Sequence, residues 1–146
     1  MIQGSITRAM LARLIDHTNL NPTASAADIQ RLCDEGAENG CASICIASAN
    51  VRLAADYLRA RGSDLVVCSV VGFPHGNMAA PAKAFEAECA VHAGAREIDM
   101  VINQGAWHEG RAALVEDDIF SVVAAARRSG AMVKVIFETS ALRDGH

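Results

Sequence analysis

Short apolar runs alternate with amphipathic segments along the whole chain. In the segments between the runs, apolar residues recur every three or four positions, which is typical of helices that pack one face against a core. We predict five strands, at residues 14–16, 43–46, 65–71, 97–102 and 132–137. A helix is predicted after each of the first four strands, and a further short helix at residues 5–12.

The predicted helices carry recognisable starts and ends. Ser25 is followed three residues later by Asp28, which is the pattern of a capping box. Three of the helices end at a glycine just before the next strand, a position where the left-handed conformation is easily adopted. These glycines are Gly40, Gly94 and Gly130. Repeated β–α units with short connections predict a parallel sheet covered by helices, in one domain that spans residues 1–146.

The helix after the third strand has a less distinct pattern. Lys83 lies near its start and is predicted to be a solvated surface residue. The predicted buried stripe of this helix consists of Ala82, Phe85, Cys89 and Ala93.

Two of the predicted strands carry charge where a fully buried strand would be apolar. Side chains alternate between the two faces of a strand, so Asp99 shares a face with Glu97, and Lys134 shares a face with Ile136. A doubly wound sheet has helices on both faces and needs apolar residues on both. In a barrel, only the outer face lies under helices, and the inner face can be polar. A barrel is therefore favoured, with the doubly wound sheet as the alternative, which the absence of a G-x-G-x-x-G fingerprint and of a P-loop weakens.

The number of strands is smaller than a complete barrel requires. A TIM barrel has eight strands and about 250 residues, whereas the pattern here predicts five strands in 146 residues. Residues 143–146 fall where another helix would begin. The predicted fold is accordingly an α/β (β/α) TIM barrel that is truncated after about five strands.

Several polar residues are candidates for chemistry. Asp99 and Lys134 lie on consecutive strands with the same facing, which predicts a salt bridge or a proton relay; a buried ion pair that only sets the strand register is the alternative. Asp16-His17-Thr18 follows the first predicted strand, where an aspartate could serve catalysis or only cap a helix. The Gly/Pro/Asn loop at residues 72–77 could contact a ligand or be a plain turn. Trp107 is predicted to pack rather than to bind.

Composition narrows the range of partners. A net charge of −4 with 13 basic residues argues against nucleic acid or an anionic membrane as the main partner.

The five cysteines form no C-x-x-C pair and the histidines have no ligand spacing, so neither a disulfide framework nor a metal site is expected. Without a G-x-S-x-G elbow, a serine hydrolase of that kind is not indicated. Free thiols and the lack of an 18-residue apolar run predict a soluble cytoplasmic protein.

Five segments of the chain closely resemble the deoxyribose-phosphate aldolase family. They are LIDHTNLNPTAS (14–25), SICI (43–46), VVGFPHG (70–76), FEAECAVHAGAREIDMVINQGA (85–106) and VKVIFET (133–139). The resemblance implies a TIM barrel of the class I aldolase type and a lyase of deoxyribonucleotide and carbohydrate catabolism. The implied reaction is cleavage of 2-deoxy-D-ribose 5-phosphate, a phosphorylated sugar, to acetaldehyde and glyceraldehyde 3-phosphate through a lysine Schiff base, without metal or cofactor.

The resemblance also implies roles for individual residues. Asp99 matches the aspartate that donates and accepts protons, and Lys134 matches a supporting lysine inside the barrel that is not the Schiff-base lysine. Asp16, Thr18 and Cys45 match positions near the substrate.

One departure from the family bears on the mechanism. The family carries its Schiff-base lysine on the sixth strand and an assisting lysine on the seventh, whereas Lys83 and Lys134 are the two lysines of this sequence. Three interpretations remain open: an incomplete aldolase, a truncated and catalytically inactive binding or regulatory module, and a gene remnant that folds. An open sheet edge and an exposed interior predict self-association into a homo-oligomer.

Overall fold

The computed structural model of the chain describes residues 5–141, and the helix start expected at residues 143–146 lies outside them. Five strands alternate with helices. The strands are β1 (Asp16–Asn19), β2 (Ser43–Ile46), β3 (Val66–Val71), β4 (Glu97–Val101) and β5 (Met132–Ile136). The helices are α1 (Arg8–Ala12), α2 (Ala26–Asn39), α3 (Val51–Ala60), α4 (Ala80–Ala93), α5 (Gln104–His108) and α6 (Ala112–Arg127). Short 3₁₀ turns cover Ser48–Asn50 and Thr139–Ala141.

The five strands form one parallel sheet in the order β1-β2-β3-β4-β5. A doubly wound sheet reverses its strand order partway, whereas this sheet adds each new strand beside the previous one, as a barrel does. The alternative of a doubly wound sheet is therefore wrong for the described residues. The predicted barrel segment of five β/α strands is confirmed.

The two faces of the sheet differ as the alternating pattern predicts. Ile98 and Met100 of β4 are fully buried beneath the helices, in the main hydrophobic core. Asp99 and Lys134 are paired across β4 and β5 and lie on the opposite, concave face. We call this concave side of the sheet the lumen.

Most of the predicted helix features are confirmed. Ser25 and Asp28 form the capping box at the start of α2, since the Asp28 N–H donates to Ser25 Oγ and the Ser25 N–H donates to Asp28 Oδ2. Gly40 ends this helix with a φ of 65°. In α5, the side chain of Trp107 packs against a small apolar cluster, which fits its predicted packing role.

The first strand begins later than predicted, at Asp16 rather than Leu14. The N–H groups of Leu14 and Ile15 donate to Leu11 and Ala12 and so prolong the turn that ends α1. Leu14 is 78% exposed. The Asp16-His17-Thr18 segment therefore belongs to β1 itself and not to a loop that follows it.

The predicted face of α4 is wrong, and Lys83 is not solvated. The buried residues of α4 are Lys83, Ala87 and Ala90, whereas Phe85 is 65% exposed. The Lys83 side chain is fully buried, and its Nζ donates to Asp118 Oδ2 of α6 at 2.6 Å and to the Val101 carbonyl at 2.8 Å. This ion pair joins α4 and α6 to the end of β4 in the interior of the protein.

The loop between β3 and α4 approaches the end of β4 closely. Gly76 has a φ of 67°, and a Cβ placed on it would lie 1.7 Å from the carbonyl oxygen of Ile102. Gly72 lies over the aliphatic part of Lys83, where an added Cβ would be 2.8 Å from Cε. Only glycine fits at these two positions without displacing neighbouring atoms.

No helix in the described part of the chain is both long and apolar enough to traverse a bilayer.

Candidate functional site

A lysine and three carboxylates meet in the lumen. Lys134 Nζ lies 2.6 Å from Glu97 Oε2, 3.0 Å from Asp16 Oδ2 and 3.2 Å from Asp99 Oδ1. We call these four residues the lumen cluster. Their side chains are 13–36% exposed, so the cluster is partly shielded from water.

The strand register explains why these side chains converge. Asp99 is the direct neighbour of Lys134, and Glu97 lies two residues earlier on the same face of β4. Asp16 comes from β1, at the other edge of the sheet and 118 residues away in sequence. In a flat sheet, β1 and β5 would be separated by four strand spacings, or about 19 Å. The contact between Asp16 and Lys134 therefore requires a strongly curved sheet, as in a barrel wall.

Lys134 is held in its charged form. Its partial burial disfavours the ammonium, but hydrogen bonds to Glu97 and Asp16 outweigh this effect and raise the pKa of Lys134 above its ordinary value. A lysine must lose its proton before its amine can attack a carbonyl. Lys134 is therefore suited to stabilising negative charge and poorly suited to acting as the nucleophile.

Asp99 differs from the other carboxylates of the cluster. Burial raises the pKa of Asp99, and the nearby charge of Lys134 only partly opposes the shift. Asp99 Oδ1 lies 3.2 Å from Lys134 Nζ as an ion pair, and it is buried without a hydrogen-bond partner among the described residues. A buried carboxyl group with a raised pKa can exchange a proton nearer to neutral pH than an exposed one.

The pKa of Asp16 is shifted in the opposite direction, below its ordinary value. Partial burial opposes ionisation, but Asp16 accepts hydrogen bonds from Ser43 Oγ at 2.6 Å and from Lys134 at 3.0 Å, and the net effect lowers the pKa of Asp16. The cluster therefore contains one carboxyl group whose pKa is lowered and one whose pKa is raised. Such a pair can divide acid–base and electrostatic roles.

The remaining candidates line the same face beside the cluster. Cys45 is buried and lies directly opposite Cys68 of β3. Hydrogen bonding to Cys45, together with burial, raises the pKa of the Cys68 thiol. Thr18 is exposed to the lumen, and its hydroxyl donates to the Asp16 carbonyl at 2.7 Å.

Three further residues complete this face, and the sequence pattern predicted no site role for them: Ser43, Cys68 and Glu97. Ser43 is two residues before Cys45 and Glu97 is two before Asp99, so strand alternation could have indicated both. Cys68 follows from alternation only once its register with β2 is known.

The loop at residues 72–77 folds into a tight turn. The Gly76 N–H donates to the Gly72 carbonyl at 2.8 Å, and the Gly72 N–H donates to Glu86 Oε2 at 3.0 Å. These bonds explain why the loop contains residues that are typical of turns. A ligand contact in this loop stays a prediction.

Comparisons with known proteins agree on one family. The sequence profile of the DeoC/LacD family of aldolases matches residues 10–145. A protein of Thermococcus kodakarensis named deoxyribose-phosphate aldolase is 47% identical over 134 residues, which are 92% of this chain and 60% of the relative. A Methanothermobacter thermautotrophicus protein of the same name is 50% identical over 138 residues, 94% of this chain and 59% of the relative.

Solved structures show the same similarity. A structure from Coccidioides immitis matches with a TM-score of 0.87 and 38% identity, over 94% of this chain and 53% of that one. The structure described as a unique tetrameric deoxyribose phosphate aldolase from Aeropyrum pernix matches with a TM-score of 0.84 and 30% identity, over 94% of this chain and 56% of that one. The chain thus spans a little over half the length of these structures, and about 60% of the curated relatives above.

Proposed function

Because the chain belongs to the DeoC/LacD family of aldolases, we propose that it carries the proton-transfer part of an aldolase site. The reaction is the reversible cleavage of 2-deoxy-D-ribose 5-phosphate to acetaldehyde and glyceraldehyde 3-phosphate, through a Schiff base between a lysine and the aldehyde carbonyl. The single observation that carries this proposal is the lumen cluster, where a buried carboxyl group lies 3.2 Å from an ammonium group on the inner wall of a barrel segment.

Asp99 is the proton donor and acceptor of the proposed reaction. Burial raises the pKa of Asp99 and so brings proton donation closer to neutral pH, and Lys134 stabilises the carboxylate that remains after donation. Lys134 supports this exchange as a fixed positive charge. Asp16, Thr18 and Cys45 line the lumen beside these two residues and are the proposed substrate contacts.

Neither lysine of the chain is suited to form the Schiff base. Lys83 is fully buried in an ion pair with Asp118, away from the lumen, and hydrogen bonds hold Lys134 as an ammonium. We therefore assign the Schiff-base lysine to a residue outside these 146 residues, together with the groups that bind the phosphate. The Schiff base is itself the electron sink, so the proposed reaction needs no metal or organic cofactor. The free thiols fit a cytoplasmic location.

A chimeric protein tests the proposed role. The chain is joined to the portion of the Thermococcus kodakarensis relative that it does not match, and release of glyceraldehyde 3-phosphate is measured with a coupled enzyme assay. We expect turnover in the chimera and a loss of about 10²- to 10⁴-fold in kcat for Asp99→Asn, the usual contribution of general acid–base catalysis. Asp56→Asn, at an exposed position of α3, is the control and should retain full activity. A folded chimera without turnover, or an active Asp99→Asn chimera, would contradict the proposal.

We further propose that the chain forms a homo-oligomer. The observation behind this proposal, unpaired edges of the sheet, also favours a second candidate function, that of a catalytically inactive binding module. Among the described strands, β5 pairs only with β4 and β1 only with β2, so each leaves one edge unpaired. Met132 begins β5 and Phe137 directly follows it, and the two residues are 56% and 59% exposed. Open edges beside exposed apolar side chains favour association.

Light scattering at micromolar concentration tests self-association. We expect a dimer or a larger assembly, and a monodisperse monomer with a cooperative thermal transition would contradict the expectation. If the chimera is inactive and the chain alone still self-associates, the binding module is favoured over the aldolase.

A further inference from the structure

We propose that Cys45, Cys68 and Asp99 form a binding site for a thiophilic divalent cation, of which Zn²⁺ is the physiological representative. Neither the spacing of cysteines and histidines in the sequence nor the proposed aldolase reaction calls for a metal. The site follows from how three neighbouring strands place their side chains in the lumen.

The geometry of the three side chains suits a single ion. The two sulfur atoms and a carboxylate oxygen of Asp99 all lie within 4.8 Å of one another. Zinc binds thiolate sulfur at about 2.3 Å and carboxylate oxygen at about 2.0–2.2 Å, so its ligand atoms in a tetrahedron are about 3.5–3.8 Å apart. Small side-chain rotations would bring these atoms to that spacing, because all three residues already share one face of the sheet.

The charge of the surroundings also favours a cation. The lumen cluster contains three carboxyl groups, those of Asp16, Glu97 and Asp99, and one ammonium group, that of Lys134. Ionised, the cluster has an excess of two negative charges before either thiol loses a proton. Negative charge that is partly shielded from water is stabilised by a nearby cation.

Lys134 lies close to the proposed ligand carboxylate but directs its hydrogen bonds to other residues. Its ammonium donates to Glu97 and Asp16 and lies 3.2 Å from Asp99 Oδ1, which is buried and has no hydrogen-bond partner among the described residues. The ammonium lies 3.9 Å from Cys68 Sγ, where it can donate a hydrogen bond to a metal-bound thiolate.

The donor set determines which cations are expected. Two thiolates and one carboxylate suit Zn²⁺ and Cd²⁺, whereas Mg²⁺ and Ca²⁺ prefer oxygen ligands alone. Binding releases the two thiol protons to solvent, which leaves two thiolates and one carboxylate on the ion. With three protein ligands, a fourth position would face the lumen, as in zinc sites that bind water or a small ligand.

Cadmium is a direct probe of this site. The reduced chain, kept in a non-thiol reductant, is titrated with Cd²⁺ while the thiolate-to-cadmium charge-transfer absorption is recorded, and Zn²⁺ and Mg²⁺ are then added as competitors. We expect one ion per chain, displaced by Zn²⁺ and not by Mg²⁺. Cys45→Ser and Cys68→Ser should abolish the charge-transfer signal at this stoichiometry, and Asp99→Asn should weaken binding by about tenfold or more. Cys89→Ser, which removes an exposed cysteine of α4, is the matched control and should bind as the unmodified chain does.

X-ray absorption of the zinc complex of the unmodified chain keeps the test decisive if a cysteine variant does not fold. Two sulfur neighbours at about 2.3 Å are expected. Zinc with one sulfur neighbour or none, or Cd²⁺ binding that Cys89→Ser removes, would overturn the proposal. A bound cation would also occupy Asp99, but none of these measurements depends on aldolase activity, so the failure of either proposal leaves the other standing.

Discussion

Replacing Lys83 with methionine removes the positive charge of a fully buried ion pair while keeping most of the side-chain volume. In the folded chain, Lys83 Nζ lies 2.6 Å from Asp118 Oδ2, and the two side chains are 0% and 2% exposed. Asp118 Oδ1 is buried and, among residues 5–141, already has no hydrogen-bond partner. The Lys83→Met variant therefore leaves the whole carboxylate buried and unpaired, together with the Val101 carbonyl, which loses its Lys83 donor.

The cost of removing one partner of a buried pair is about 3–5 kcal/mol, because the remaining charge stays buried without compensation. Native domains are stable by about 5–15 kcal/mol, so this loss is a large fraction of the total. For a chain of this size it corresponds to a fall in Tm of about 10–16 °C. Asp118→Leu, which is close to isosteric, leaves the ammonium unpaired and should cost a similar amount. The double variant buries no unpaired charge, and we expect it to be more stable than either single variant.

Urea unfolding followed by circular dichroism measures the four free energies of unfolding that the double-mutant cycle needs. A coupling energy of at least about 2 kcal/mol is expected, whereas contacts without coupling give additive effects. The exposed pair of Arg59 and Asp56, whose Nη1 and Oδ1 atoms lie 2.8 Å apart, provides a matched cycle. Its coupling energy should be below about 1 kcal/mol. Single variants that lose less than about 1 kcal/mol, or additive losses, would refute the reasoning for Lys83.

Three further outcomes are expected. Gly76→Ala should destabilise the chain by several kcal/mol more than Gly110→Ala, because both glycines have positive φ but only the first would place its Cβ against backbone atoms; equal free energies of unfolding would contradict this. Asp28, whose hydrogen bonds from Ser25 lower its pKa to about 2, should stabilise the fold above its unfolded pKa of about 4 and lose that contribution as the pH falls toward 2. Asp28→Asn should accordingly destabilise the chain at pH 7 and make little difference near pH 2, as measured by urea unfolding at both pH values. The isolated chain should show no retro-aldol turnover, and borohydride with acetaldehyde should trap no stoichiometric adduct; an adduct on Lys134 accompanied by turnover would show that this lysine can act as the nucleophile.

The burial of Lys83 illustrates a limit of reading helix faces from apolar residues. A stripe of Ala82, Phe85 and Cys89 is more hydrophobic than one that contains a lysine, so the sequence pattern predicted the wrong face of α4. In the folded chain the partner of Lys83 is Asp118 on α6, which also looks like a surface residue when it is considered alone. Two charged residues can share a buried region only together, and that pairing follows from the packing of two helices.

The candidate site, too, could be predicted only in part from the sequence. Strand alternation is a local property with a period of two residues, so the common facing of Asp99 and Lys134 and the polar inner wall could be predicted from the sequence alone. The approach of Asp16 to Lys134 could not, because it depends on the curvature accumulated over five strands.

By itself, the sequence determined the alternation of strands and helices, the parallel sheet and the family resemblance, because local periodicity, capping residues and motifs specify these features. Only the tertiary structure decided that Asp16 and Glu97 hold Lys134 as an ammonium and that Asp99 lies beside this ammonium with a partly buried carboxyl group. It also decided that Cys45 and Cys68 face each other beside Asp99. The physical reason is that pKa values and ligand geometry depend on distances of a few ångströms between residues far apart in sequence, which the register and curvature of the assembled sheet set.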